Sequence, residues 1–324
     1  VPLAERDASR LLVLDRGAPG VAHRRFRDFP GLVGAGDVVV VNDSRVIPAR
    51  LPARRAGGGK AEVLLVARED GGTWRALVQP GSRIRAGSAL RLEGEDRVEV
   101  IAHLPDGMRR VRLAGPGGAD AVLGRRGRVP LPPYIRRDAT DLDAERYQTV
   151  YAQAPGSVAA PTAGLHFTPT ILEQLRRRGA AVARITMHVG PGTFRPITAS
   201  DPGAHRLDPE WYLVPAEAAS AIGAARERGG LVWSVGTTVT RTLESVAGPG
   251  GTVREGFGWT SLFIRPGHTF RVVDRLLTNF HLPKSTLLML VSAFAGRERV
   301  LAAYQEAIRE RYRFYSYGDA MAVL

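Results

Sequence analysis

Two hydrophobic patterns divide the chain. Val38-Val39-Val40-Val41 is an unbroken β-branched run, the pattern of a strand covered on both faces. It ends in Asn42-Asp43-Ser44-Arg45, polar residues with turn chemistry. Farther on, apolar residues come in short β-rich pieces, at 62–67, 73–78, 89–92, 97–101 and 108–113, separated by Gly, Pro and Asp. That spacing predicts a small barrel or sandwich. Gly57-Gly58-Gly59 marks a flexible break ahead of it. Val129-Pro130-Leu131-Pro132-Pro133-Tyr134-Ile135 is stiff and extended, and is expected to carry the chain back to the first domain.

Past Thr168 helices and strands alternate. A helix is expected over 169–178, with Thr168 as N-cap, Pro169 at its first position and Gly179 closing it. A strand at 181–187, a helix at 215–228, a strand at 231–235 and a helix at 238–246 follow, then two helices at 283–294 and 297–312 parted by Gly296. The expected architecture is an α/β main domain made of residues 1–56 and 130–324, with an inserted small all-β, barrel-like domain at 57–129.

Composition narrows the function classes. Hydrophobic residues at 44% and charged residues at 24% exclude wholesale disorder. The absence of cysteine excludes disulfides, thiolate zinc sites, iron–sulfur clusters and Cys nucleophiles together. The apolar stretch at 287–295 is broken by Ser292 and is far shorter than the ~18–20 residues of a bilayer span. No basic, apolar leader opens the chain at Val1-Pro2-Leu3, so it reads as cytoplasmic with no membrane partner. Lys and Arg number 45 against 32 Asp and Glu, a net charge of +13. The excess suits a polyanion such as nucleic acid. Only Lys60 and Lys284 are lysines, however, and an arginine skew of this kind also follows from GC-rich coding. Charge alone leaves both readings open.

Familiar nucleotide signatures are missing. Gly57-Gly58-Gly59-Lys60 lacks the spacing and the Ser/Thr of a P-loop, and no G-x-G-x-x-G occurs. His205, Asp208 and Glu210 are the nearest approach to a metal set, without a fourth ligand. What stands out is a series of dense polar–glycine segments, each following an expected strand: 42–45, 159–168, 188–196, 236–245 and 278–286. In open α/β sheets ligands sit beyond the strand ends on such loops. Glycines admit close backbone approach, while Thr, Asn and His supply donors and acceptors.

These segments, with Tyr147-Gln148-Thr149-Val150-Tyr151-Ala152 and the carboxy-terminal 312–321, include the runs PTAGLHFT (161–168) and TNFHLPKSTL (278–287). In them the chain resembles the QueA family, the S-adenosylmethionine:tRNA ribosyltransferase-isomerases of queuosine biosynthesis, from about Ser9 to the end. The resemblance implies an α/β domain with an inserted β domain. It also implies the reaction: the ribosyl part of S-adenosylmethionine, a co-substrate, moves onto 7-aminomethyl-7-deazaguanine in the tRNA anticodon loop. Isomerisation gives epoxyqueuosine, and adenine and methionine leave. No metal and no further cofactor is implied.

Under that resemblance the site needs a base, an acid for the adenine nitrogen, and holders for the methionine part. His166 and His188 lead as proton-transfer groups, with His281 third. Glu244 and Asp43 are further candidates for base or cation holder, and Glu244 is alternatively an i,i+3 partner of Arg241. Thr162, Gly164, Phe167, Gly190, Gly192, Thr193, Thr237, Thr238 and Asn279 are expected to contact S-adenosylmethionine. Arg241 and Lys284 would meet its carboxylate or a tRNA phosphate. Arg45, Arg50, Arg136, Arg137 and Arg195 are the expected tRNA phosphate contacts. Phe167 or Tyr134 would stack on the splayed base, core packing being the alternative for Phe167. The chain departs from the family at Asp208, where a second His is common, at Ser261, where Asp is usual, and in the largely missing stretch before Ser9. A relative acting on a free deazapurine or another small amine, or an inactive tRNA-binding relative, are the alternative readings.

Overall fold

Val38–Asn42 is buried along its whole length because it runs through the middle of a nine-stranded sheet. The strand order is Gly256–Thr260, Glu210–Val214, Ala181–Met187, Val38–Asn42, Val232–Val235, Arg275–Asn279, Ala320–Val323, Arg10–Leu14 and Val21–Arg25. The valine run now has its cause. Val38 and Val40 join one apolar cluster with Ile222, Val239 and Leu243, while Val39 and Val41 join another with Phe29, Ile171 and Leu175. Helices Ala216–Glu227 and Thr237–Ser245 thus cover one face, and helix Pro169–Arg177 covers the other. The structure is a computed structural model that describes residues 1–194 and 205–324.

The four strands Ala181–Met187, Val38–Asn42, Val232–Val235 and Arg275–Asn279 are mutually parallel. From Val38–Asn42 the chain goes first to Ala181–Met187 on one side, then crosses to Val232–Val235 on the other. The order of winding reverses there, and in open α/β sheets the crevice that takes a ligand lies at such a point, here beyond the carboxyl ends of Val38–Asn42 and Val232–Val235. Local chemistry supports the first crossover. Thr168 Oγ1 accepts from the Ile171 amide at 3.2 Å, and Gly179 leaves helix Pro169–Arg177 with φ +83°. Helices Thr286–Ala295 and Arg297–Arg309 bury Leu290, Val291, Val300 and Ala303 in the first cluster.

The chain divides into two compact units, one of Val1–Ser44, Gln148–Ala154 and Ala160–Leu324, the other of Arg45–Tyr147 and Pro155–Ala159. The second is a closed barrel in the order Arg109–Ala114, Thr73–Gln79, Lys60–Arg68, Arg50–Arg54, Ala89–Arg91, Arg97–His103. The α/β domain with a barrel-like insertion is therefore as expected, and each of the anticipated barrel strands is present. The limits at 57 and 129, though, fall inside this unit. Arg50–Arg54 is the strand that closes the barrel, pairing with both Lys60–Arg68 and Ala89–Arg91. Gly57–Gly59 is a hairpin turn between two barrel strands, with Arg55 N donating to Gly59 O at 2.8 Å, and not an interdomain break. The proline-rich stretch also stays with the barrel unit, since Arg128 N donates to Arg50 O at 2.8 Å and Arg50 reaches Leu131 O. The unit adds helix Gly118–Arg126, which sinks Val122 and Leu123 into the barrel core. Among the described residues no helix is long and apolar enough to cross a membrane.

Candidate active site at the strand ends

The crevice is organised by Asn42, the fully buried last residue of the valine strand. Its Oδ1 accepts from the amides of Met187 and Ser44, both at 3.0 Å, and its Nδ2 donates to Met187 O at 3.0 Å and Thr238 Oγ1 at 3.4 Å. One side chain thereby ties together the ends of two strands and the start of helix Thr237–Ser245. That helix begins after Gly236, whose φ of +92° suits glycine and which offers no side-chain cap to the first-turn amides. Beside Asn42, Asp43 receives the Thr186 hydroxyl at 2.7 Å. Burial pushes the Asp43 carboxyl up from its ordinary value, against that hydrogen bond and the charge of Arg184.

His188 follows the next strand. Its amide donates to Trp211 O at 2.9 Å, and its ring stacks on the Trp211 indole with centroids 5.1 Å apart. Nδ1 is buried without a hydrogen-bond partner, and burial lowers the affinity of the ring for a proton. Two residues on, Gly190 N donates to Glu210 Oε1 at 2.9 Å. The other Glu210 oxygen takes Arg241 Nη1 in a buried ion pair, and Arg241 Nε donates to Leu262 O at 2.9 Å. Arg241 Nη2 is left buried and unpartnered. A Cβ at Gly192 would lie 2.8 Å from Asp208 Oδ2, so the glycine admits that carboxylate against the loop.

His166 is placed differently. Nδ1 lies 2.7 Å from Ser9 Oγ and Nε2 lies 3.3 Å from Asn279 Nδ2, while the ring stacks on Phe26 at 5.0 Å. Since Asn279 Nδ2 only donates, Nε2 accepts and Nδ1 carries the hydrogen. Ser9 then passes its own hydrogen to Arg6 O at 3.2 Å. Burial pushes the imidazole down to about 4, so it is neutral. Asn279 Nδ2 also reaches Tyr315 O at 3.2 Å, and Asn279 Oδ1 is buried without a partner. His281 is engaged as well, with Nε2 2.7 Å from Thr278 Oγ1 and burial pushing it down to about 4.

Residues 1–323 of the chain match the family model described as queuosine biosynthesis protein. The chain belongs to this family. It is 53% identical to the S-adenosylmethionine:tRNA ribosyltransferase-isomerase of Moorella thermoacetica, covering 100% of this chain and 95% of that protein. It is 54% identical to the protein of the same name from Anaeromyxobacter dehalogenans, covering 100% and 94%. Among solved structures, the S-adenosylmethionine tRNA ribosyltransferase of Thermotoga maritima matches with a TM-score of 0.55 at 36% identity, covering 100% of this chain and 95% of that one.

Several expected site residues of this queuosine-family chain have other duties. Glu244 does not pair with Arg241. Its oxygens accept from the amides of Arg271, Val272 and Val273 at 2.9–3.0 Å and so hold the approach to strand Arg275–Asn279. Phe167 is fully buried against Phe26, Phe29 and Tyr151 and offers no face to a base. Gly164 is tightly packed, since a Cβ there would meet Tyr151 Oη at 2.2 Å. Lys284 is exposed and holds a left-handed backbone, φ +56°, just before the Ser285 N-cap. Gly190 lies in the loop after strand Ala181–Met187 and Gly192 in the short 3-10 turn Pro191–Phe194, Thr162 opens the 3-10 turn Thr162–His166, and Thr237 and Thr238 form the first turn of helix Thr237–Ser245. Arg195 and the side chain of Thr193 lie outside the described residues.

Arg45, Arg50, Arg136 and Arg137 belong to the barrel unit. Arg45 and Arg136 are exposed. Arg50 pairs with Glu62 at 3.0 Å, and Arg137 grips the fully buried Asp143 through both Nη atoms, at 2.6 and 2.9 Å. Glu210 stands out in the sequence only beside His205 and Asp208 as a weak metal set, and Asn42 only as part of the turn 42–45; their roles as partner of Arg241 and as tie between strand ends come from contacts distant in sequence. Ser9, the partner of His166, gave no signal for the same reason. Among the described residues no group of His, Cys, Asp or Glu is gathered to hold a metal ion.

Proposed function

We propose that this chain is an S-adenosylmethionine:tRNA ribosyltransferase-isomerase. It moves the ribosyl part of S-adenosylmethionine onto the aminomethyl group of 7-aminomethyl-7-deazaguanine in the tRNA anticodon loop. The sugar is isomerised to the epoxycyclopentanediol of epoxyqueuosine, and adenine and methionine leave. The observation that carries this reading is the family match over residues 1–323, which spans every strand-end loop of the crevice. The reaction takes place in the cytoplasm, where its tRNA is found.

The sulfonium acts twice: its charge acidifies the 5′ carbon, and it later departs as a neutral thioether. Asp43 is the base for the 5′ proton, because a carboxyl raised by burial is a stronger proton acceptor than an ordinary one. His188 serves the adenine nitrogen through Nδ1, the ring atom with no protein partner. Arg241 Nη2 meets the methionine carboxylate, while Glu210 fixes the other end of the guanidinium. First-turn amides and hydroxyls at Thr237 and Thr238 face the nucleoside at the uncapped helix start. His166 holds Asn279 so that Oδ1 can accept a hydrogen from the ligand. Exposed Arg45 and Arg136 contact tRNA phosphates.

The test is adenine release from S-adenosylmethionine, followed with precursor-bearing tRNA and, separately, with the free deazapurine. Release with the tRNA and modification of its base are expected. Release with the free base alone would reject the tRNA reading in favour of a small-amine acceptor, the reaction that Asp208 and Ser261 would then serve.

A further inference from the structure

A row of cations crosses the outside of the barrel unit. Arg54 stands directly opposite Lys60 on one neighbouring strand and directly opposite Arg91 on the other, and Arg91 in turn stands opposite Arg97. All four side chains are exposed, because the alternate residues Ala53, Ala61, Leu90 and Val98 fill the barrel interior. Arg97 is paired with Glu99 at 2.9 Å, which leaves Lys60, Arg54 and Arg91; with adjacent strands roughly 4.8 Å apart, that row is about 10 Å long. Like charges placed directly opposite destabilise a sheet. Folding of the barrel gains nothing from this arrangement, and a coding bias toward arginine does not explain why the charges share one rung.

Arg54, Lys60 and Arg91 also line a groove of about 1160 Å³, together with Arg50, Arg128 and Arg137. Three acids line it too. Glu62 is paired with Arg50 and Glu93 with Arg126, which leaves Asp138. Arg137 is neutralised by Asp143. Arg54, Lys60, Arg91 and Arg128 have no carboxylate partner among the described residues, although Arg54 and Arg91 are steadied by the carbonyls of Gly58 and Ala56 at 3.2 and 3.3 Å. The groove is therefore strongly positive, with its free cations held in extended register. A linear polyanion with regularly spaced charges matches that geometry.

We infer that the Lys60–Arg54–Arg91 row and its groove form a docking surface for the RNA phosphodiester backbone, separate from the residues assigned above to the reaction. The inference rests on tRNA being the substrate, and it names where the barrel unit holds the RNA. Phosphate contacts of this kind position an RNA without reading its sequence.

The test compares a triple variant, Arg54→Gln with Lys60→Gln and Arg91→Gln, against a charge-retaining variant, Arg54→Lys with Arg91→Lys. Binding of unmodified tRNA is followed by fluorescence anisotropy over a salt series, in the full chain. The Gln variant should bind at least about 10-fold more weakly near 0.1 M salt, with the slope of log K against log salt shallower by about 2, since each lost phosphate contact removes roughly 0.7–0.9. The Lys variant should keep the wild-type slope. Unchanged affinity and slope in the Gln variant overturn the inference, and so does an equal loss in both variants, which would report a disturbed barrel. Turnover separates this from the functional reading. If wild-type protein releases no adenine with tRNA, the functional reading fails. If wild type modifies tRNA and the Gln variant keeps the wild-type KM for it, the docking surface alone fails.

Discussion

Glu210 holds Arg241 on one carboxylate oxygen and the amide of Gly190 on the other, with both charged side chains buried. Removing one member of a buried pair leaves the other charge uncompensated, which costs about 3–5 kcal/mol. Glu210→Gln is expected to lower unfolding free energy by that order in urea titrations. The double change Glu210→Leu with Arg241→Met should regain most of the stability, because well-packed apolar residues replace such pairs at little cost. It should nevertheless bind S-adenosylmethionine at least 10-fold more weakly by calorimetry. Wild-type affinity in the double variant would remove Arg241 from the ligand site.

The two leading histidines should part company on mutation. His188→Ala is expected to lower kcat by about 10²-fold or more with little change in S-adenosylmethionine affinity, as loss of a proton-transfer group does. His166→Ala removes a ring held between Ser9, Asn279 and Phe26. It should cost about 2–4 kcal/mol through the cavity and the stranded polar groups, with a weaker effect on kcat once the folded fraction is allowed for. Equal kcat losses at equal stability would show His166 taking part in proton transfer.

The valine strand, the polar loops at its sheet edge and the barrel strands were legible because each depends on local pattern: period, turn chemistry, a cap. The closing barrel strand Arg50–Arg54 was not. Its sequence, Arg-Leu-Pro-Ala-Arg, carries a proline and little β-branching, and it is made a strand by pairing with residues on both sides. The same limit applies in the crevice. Arg241 and Glu244 have the spacing of a helix pair, yet tertiary contacts give Arg241 to Glu210 and Glu244 to three backbone amides. The histidines were visible as residue types, but not the burial that separates the neutral, doubly bonded His166 from His188 with its free nitrogen.

Stability should fall on acidification ahead of ordinary carboxylate titration. His166 and His281 are pushed down to about 4 in the folded protein from an ordinary 6.5. Between those values the unfolded chain takes up protons that the folded chain does not, so folding weakens as pH falls through that window and levels off below it. The loss should be on the order of a few kcal/mol in urea titrations between pH 7 and 4. Asp43 works in the opposite sense. Its raised carboxyl makes the folded state hold a proton the unfolded chain has lost, so its ionisation opposes folding as pH rises. Asp43→Asn should therefore be more stable than wild type at neutral pH, with the gain vanishing below about 3.8, while turnover is abolished. A variant that kept its turnover would take the base role away from Asp43.

Lys284 holds a left-handed backbone, φ +56°, at an exposed position where glycine would sit without strain. A non-glycine residue there costs roughly 1 kcal/mol, and strain of this kind persists where the side chain has a use. Lys284→Gly is expected to raise unfolding free energy by about 1 kcal/mol while lowering kcat/KM at least 10-fold. Lys284→Ala keeps the strain and loses the charge, so it should lose the same activity with no gain in stability. Thermal denaturation read beside steady-state kinetics separates the two effects. Wild-type kcat/KM in both variants would mean that the ammonium meets neither the S-adenosylmethionine carboxylate nor a phosphate, and that the left-handed residue serves only the turn into helix Thr286–Ala295.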